Sequence, residues 1–180
     1  YEPTSIFKIV GTATFQSLDP ATYTYWKSRI YSCPGSTLTE AMMMKRIDEI
    51  NIFGNGNDCD RIWTSHVQMR KYGNILKTDR RFLNPTDYKG GWKAAKFLGS
   101  GGEVPMVADR DIREDAMLFL TTKDLALFEQ VGFKWMEEDG NMLARIANYA
   151  AYEATMRWYG NIGCYARNTH SAIVGLDVAD

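Results

Sequence analysis

Residues 96–120 read KFLGSGGEVPMVADRDIREDAMLFL. Two apolar runs, Lys96–Leu98 and Val104–Ala108, flank Gly99-Ser100-Gly101-Gly102. Glycine reaches positive φ without steric penalty, so the spacing predicts strand, tight reversal, strand, with Gly99, Gly101 and Gly102 as the structural turn. The polar excursion Asp109–Asp115 leads into the apolar run Met117–Leu120, a third predicted strand entered through an acidic loop. Asp109 and Asp111, beside Glu114 and Asp115, offer the oxygen ligands of a divalent-cation site. They lack the spacing of a calcium loop, and a solvated acidic loop is the simpler expectation.

The chain of 180 residues suits one or two small domains and can bury a substantial core. Cys33, Cys59 and Cys164 lie far apart with no C-x-x-C spacing. This argues against a zinc ribbon, a redox motif or a disulfide framework, and fits a reducing compartment. No apolar run has the length of a bilayer span and no signal-peptide pattern opens the chain, so no membrane partner is expected. The sequence opens on Tyr1 and enters strand-like residues directly, which reads as a processed or truncated product.

Net charge is −1, but it is unevenly placed. From Arg61 to Lys96, nine Lys/Arg oppose only Asp79 and Asp87; from Phe97 to Leu143, ten Asp/Glu oppose four Lys/Arg. Such blocks steer a molecule toward copies of itself or toward another charged partner, or are simply solvated faces. The candidate interface residues are Arg70, Lys71, Lys77, Arg80 and Arg81 on the basic side. Asp109, Asp111, Glu137 and Glu138 stand on the acidic side. Tyr88 and Trp92 stand among Lys89, Lys93 and Lys96, a pairing that stacking and phosphate contacts to nucleic acid would use. Core aromatics with wet lysines explain the same pattern.

Elsewhere, SIFKIVGTATF (5–15) is rich in β-branched and aromatic residues and predicts a strand. Leu18–Tyr31 fits helix or extended chain, and Cys33-Pro34-Gly35 predicts a break. Thr37 with Glu40 has capping-box spacing for a helix Thr37–Phe53 carrying Met43, Ile47 and Ile50 on one face, stopped by Gly54-Asn55-Gly56 through a left-handed cap. Met42-Met43-Met44 reads as core filler. Arg61–Trp63 predicts a strand, and Ser65 with Gln68 caps a second helix, Ser65–Leu76. Its Tyr72, Ile75 and Leu76 face inward. Asn84-Pro85 and Gly90-Gly91 mark a loop. Phe133 and Trp135 share one face of a two-residue repeat before a turn at Glu138–Asn141. The latter part of Leu143–Tyr165 alternates as a strand, with a bulge expected at Asn161-Ile162-Gly163. A turn at Arg167–His170 precedes a last strand, Ala172–Leu176.

No chemistry follows from spacing. His66 and His170 stand over a hundred positions apart, without a serine, cysteine or carboxylate in triad or zinc spacing. The glycine clusters lack the Walker lysine and the dinucleotide fingerprint. Neither catalysis, nor a metal, nor a cofactor is expected.

Taken in order, these segments resemble the major capsid proteins of tailed phages with the Hong Kong-type fold. TEAMMMKRIDEI and DCDRIWTS resemble the family's helix and following strand edge, and QMRKYGNILKTDRRF its next helix. GGWKAAKFLGSGGEVPMVADRD and MLFLTTKDLALF resemble its central segments, and MRWYGNIGCYARNTHSAIVGL its tail. The resemblance runs from Thr37 to Leu176. It implies an α+β fold, a mixed or antiparallel sheet with flanking helices, comprising an axial domain and part of a peripheral domain. The implied organisation is 1–36 as a peripheral remnant, 37–140 axial and 141–180 as the long C-terminal strands.

The implied function is a self-assembling coat: hexamers and pentamers of this chain in an icosahedral virion shell around double-stranded DNA held without sequence specificity. Portal and scaffolding proteins are the further implied partners, and assembly takes place in the host cytoplasm. The family's N-terminal arm, extended loop and spine helix are not recognisable here, so the chain reads as a fragment. An encapsulin-like compartment shares the fold and is the near alternative. A nucleic-acid-binding module built on the Arg61–Lys96 block is the other.

Overall fold

A computed structural model describes residues 3–54, 56–78, 86–87, 93–137 and 140–179. The quoted stretch folds as its glycines require. Strand β4 (Lys93–Gly99) and β5 (Gly102–Ala108) form a hairpin in which Gly99 pairs with Gly102 across Ser100-Gly101, and Gly102 takes φ +121°. Gly99 also answers a close approach, because a β-carbon there would stand 3.0 Å from Ile47 Cδ1.

Seven strands build a mixed sheet in the order β1-β11-β6-β2-β5-β4-β3. The remaining members are β1 (Arg29–Ser36), β2 (Arg61–Thr64), β3 (Thr86–Asp87), β6 (Ala116–Leu120) and β11 (Ser171–Leu176). Central strand β6 is buried along its whole length. Its alternation divides it between two cores. Met117 and Phe119 join Met43, Ile47 and Ile50 of helix α2 (Glu40–Phe53) and Tyr72 and Leu76 of α3 (His66–Thr78). Leu118 and Leu120 pack on the opposite face against Val10 and Ile112. Each fully buried aliphatic or aromatic side chain of this kind stabilises the fold by roughly 1.5–3 kcal/mol.

The other elements are not strands of this sheet, although Ile6 and Phe7 at the start of the chain pack against its Leu118–Leu120 face. Helix α1 (Ile6–Ile9) opens the chain. Strands β7 (Leu125–Trp135) and β10 (Met156–Cys164) pair antiparallel as a separate ribbon, whose distal end carries the short hairpin β8 (Ala144–Arg145) and β9 (Tyr152–Glu153). Among the described residues no helix is long and apolar enough to cross a membrane.

Several local expectations are corrected. Residues 5–15 form α1 and a loop where a strand was expected. Their carbonyls are taken by the Arg167 side chain instead of a neighbouring strand. Cys33-Pro34-Gly35 lies inside β1 as a register shift, with Gly35 at φ +68°. That position suits proline, since β1 is an edge strand. Thr39, two residues beyond Thr37, caps α2 by accepting the Met42 N–H at 3.3 Å. Gly54 ends the helix at φ −81°. It is required by space, because a β-carbon there would lie 2.4 Å from the Ile50 carbonyl oxygen. The ribbon's irregularities fall between Arg157 and Gly160, earlier than the expected bulge at Asn161–Gly163.

Candidate assembly surface

One alternating face of the ribbon is largely apolar (Leu125, Leu127, Val131, Phe133, Trp135), and the other mixes Phe128 with Gln130, Lys134, Arg157 and Asn161. Among the described residues the buried cluster backs the ribbon at its root. Leu125, Ile162 and Cys164 pack there against Ile9, Phe15 and Trp26 of the N-terminal segment. Beyond the root, Phe133 is 74% exposed, Leu127 60% and Tyr159 56%, and the β8–β9 end adds Tyr149 at 71% and Tyr152 at 68%. Met136, Met142, Leu143 and Met156 are exposed beside them. A soluble monomer rarely shows so continuous an apolar patch, and a two-stranded ribbon is marginal without a partner face. Local packing stiffens it. The Trp158 ring folds over Gly160, where a β-carbon would lie 2.3 Å from the indole. It stacks on Phe133 at 5.6 Å with planes 15° apart, and its N–H donates to Glu129 Oε1 at 2.5 Å.

Ribbon and sheet meet at a two-chain joint. β6 passes into β7 through the 3-10 turn Thr122–Asp124, and β10 passes into β11 through the 3-10 turn Arg167–Thr169. Side chains replace the strand ladder here. Thr121 N–H donates to His170 Nδ1 at 3.3 Å, which leaves the ring proton on Nε2, 3.4 Å from Cys164 Sγ. Thr121 Oγ1 bonds the Thr169 carbonyl at 3.0 Å, and Thr122 N–H donates to the Asp60 carboxylate. Burial outweighs the attraction of Asp124 and Asp60 and lowers the His170 pKa to about 4. The same desolvation pushes the Cys164 thiol up to about 11 and Cys59 to about 12. All three cysteines are free and buried.

Arg167 is fully buried and forms no ion pair with a carboxylate among the described residues. Its guanidinium donates to the carbonyls of Ile9 (2.8 Å), Ala13 (2.8 Å), Gly11 (2.7 Å), Lys8 (3.3 Å) and Trp26 (3.3 Å). Burial lowers its pKa. One side chain therefore ties the N-terminal segment to the joint.

The residues singled out from sequence are scattered. Arg70, Lys71 and Lys77 lie on α3, with Lys71 bonded to Asp177 at 3.1 Å in the same chain. That contact and the Ala179 N–H together hold the Asp177 carboxyl below its usual range, the N–H more strongly. Arg80, Arg81 and Glu138 fall outside the described residues, as do Tyr88, Trp92 and Lys89. In the acidic loop, Asp109 Oδ1 accepts the Asp111 N–H at 2.9 Å, Asp111 pairs with Arg110 at 3.3 Å, and Asp115 pairs with Arg113 at 2.6 Å. The loop serves its own turn. Glu137 lies far from it in sequence, at the ribbon's distal groove.

Among the described residues no three His, Cys, Asp or Glu side chains gather as metal ligands. Sequence reading missed the His170–Cys164 contact and the buried Arg167. Their six-residue and three-residue spacings to one another gave no motif, since only the turn at 167–169 brings them inward.

No family model matches the chain, and no curated protein matches it. Solved structures do. The holo-SrpI encapsulin complex from Synechococcus elongatus aligns with a TM-score of 0.65 at 8% identity, covering 84% of this chain and 54% of that one. The capsid asymmetric unit of cyanophage A-1(L) aligns with a TM-score of 0.61 at 16% identity, covering 93% of this chain and 55% of that one. Both have the Hong Kong-type capsid fold, and this α+β chain has it too. It spans just over half the length of either match.

Proposed function

We propose that this chain is a coat subunit of a tailed phage, many copies of which close a shell around double-stranded DNA. The observation that carries the proposal is the exposed aromatic and methionine-rich ribbon on a capsid-type fold. A fold with that much unbacked apolar strand is suited to being completed by other copies. In this reading the seven-stranded sheet and helices α2 and α3 are the axial part. The ribbon belongs to the peripheral part, and the subunits gather as hexamers and pentamers in the virion. The six sequence segments that resemble phage coats, and the 93% coverage against a cyanophage capsid, favour phage over compartment.

The encapsulin reading draws on the comparably good match to a compartment shell. The test is expression of the full-length protein followed by electron microscopy and nuclease digestion of purified particles. Closed shells able to take up nuclease-protected DNA are expected. Shells enclosing a protein cargo and no DNA would establish the compartment instead. A protein that stays monomeric at micromolar concentration would overturn both.

A further inference from the structure

At the ribbon's distal end, Arg157 and Lys134 are register partners across the strand pair. Directly opposed residues share a face, so two cations stand side by side there, a destabilising arrangement unless something anionic joins them. Neither forms an ion pair with a described residue, and Arg157 Nε is buried with no hydrogen-bond partner. Both line an open groove of about 380 Å³ with Glu137, Phe133, Trp135 and Met142. Glu137 shares the groove but closes on neither cation. Among the described residues, one patch thus carries a cation pair and a carboxylate without ion-pair partners, beside an exposed apolar rim.

We propose that this patch meets its own copy: Glu137 of one subunit faces Lys134 and Arg157 of another, with the Trp135 and Met142 rims packed between them. A surface that presents both signs and apolar area is complementary to itself. A nucleic-acid occupant fits less well, because residues 125–164 carry five acidic against three basic side chains. The inference rests on the shell-forming reading and adds the contact through which shells form.

The test uses the full-length coat protein at low salt, with assembly followed by light scattering. Lys134→Glu with Arg157→Glu keeps a like-charged pair across the two strands, and Lys134→Gln with Arg157→Gln removes the cations without adding charge beside Glu137; circular dichroism should be unchanged in the second variant. Assembly should slow at least tenfold in both. Glu137→Lys alone should slow it similarly. The triple exchange, Lys134→Glu, Arg157→Glu and Glu137→Lys, should assemble with itself. Mixed with differently labelled wild type, it should segregate into separate particles.

Wild-type rates in either double variant would overturn the proposal while leaving the shell reading intact. So would a triple exchange that fails to recover, which is the result expected if another molecule fills the groove, or one that mixes freely with wild type. A wild-type protein that never assembles would overturn both readings.

Discussion

His170 is enclosed by Cys164 on β10, Asp124 and Asp60 on the β6 side, and Arg167 on its own turn. Unfolded, an imidazole takes its proton near pH 6.5; here it stays neutral down to about 4. Protonation would also set Nδ1–H against the Thr121 N–H that now donates to it. The contribution of His170 is therefore complete above pH 6.5 and drains away as pH falls through 4. Between pH 7.5 and 4.5 it amounts to roughly 2–3 kcal/mol. Denaturant unfolding at those two pH values should show wild type losing that much more than His170→Asn, and equal losses would refute the assignment.

Two glycines give opposite predictions by the same reasoning. Gly102 at φ +121° tolerates no β-branched side chain, so Gly102→Val should cost about 1–3 kcal/mol. Gly73 lies within α3 with open space where a β-carbon would go, so Gly73→Ala should stabilise by about 0.5–1 kcal/mol. Thermal melts of the pair would check both signs. Gly102 was legible in sequence because a hairpin glycine acts locally. Arg167 was not, because an arginine in a turn reads as solvent-facing until five distant carbonyls are found around it.

At the scale of elements, legibility followed whether the deciding partner was near in sequence. The hairpin β4–β5, the capped helix α3 and strand β6 carry their own instructions: a glycine turn, a hydroxyl cap at Ser65 and an apolar run. The 5–15 segment carries strand composition, yet it pairs with no strand among the described residues. Its carbonyls meet a guanidinium 150 residues away, and α1 follows. Arg167→Ala would strip donors from carbonyls packed over a hydrophobic cluster, each costing about 1–3 kcal/mol when left unpaired and buried. The predicted outcome is local release before global unfolding. Trypsin should cut after Lys8 and Lys27 much faster than in wild type, while protection of β6 amides persists. Arg167→Lys, with three donors, should recover only part of the protection. Unchanged cleavage at both lysines would show that the clamp does not hold this segment.

At the scale of the whole molecule, the order of segments revealed the capsid fold, whereas charge blocks did not reveal surfaces. Asp109 and Asp115 are engaged at home, and Lys71 is held by Asp177. We propose that the basic residues near Arg70–Arg81 face the acidic loop of a neighbouring subunit, with Glu114 and the highly exposed Asp111, whose partner at home is only the equally exposed Arg110, as the acidic side. Each exposed pair is worth about 0–1 kcal/mol, too little to move domain stability but, in the proposed shell, repeated over every contact. Its signature is kinetic and salt-dependent, since attraction over a Debye length guides encounter. Arg80→Glu with Arg81→Glu in the full-length protein should leave the melting temperature within a degree or two and slow assembly at low salt. The gap should close as salt rises, and reversing Asp111 and Glu114 to lysine should restore the rate. If no acidic-side reversal restores it and DNA binding falls in parallel, the block faces the packaged genome. If assembly is unaffected at low salt, the block is a solvated face and the ribbon carries the association without it.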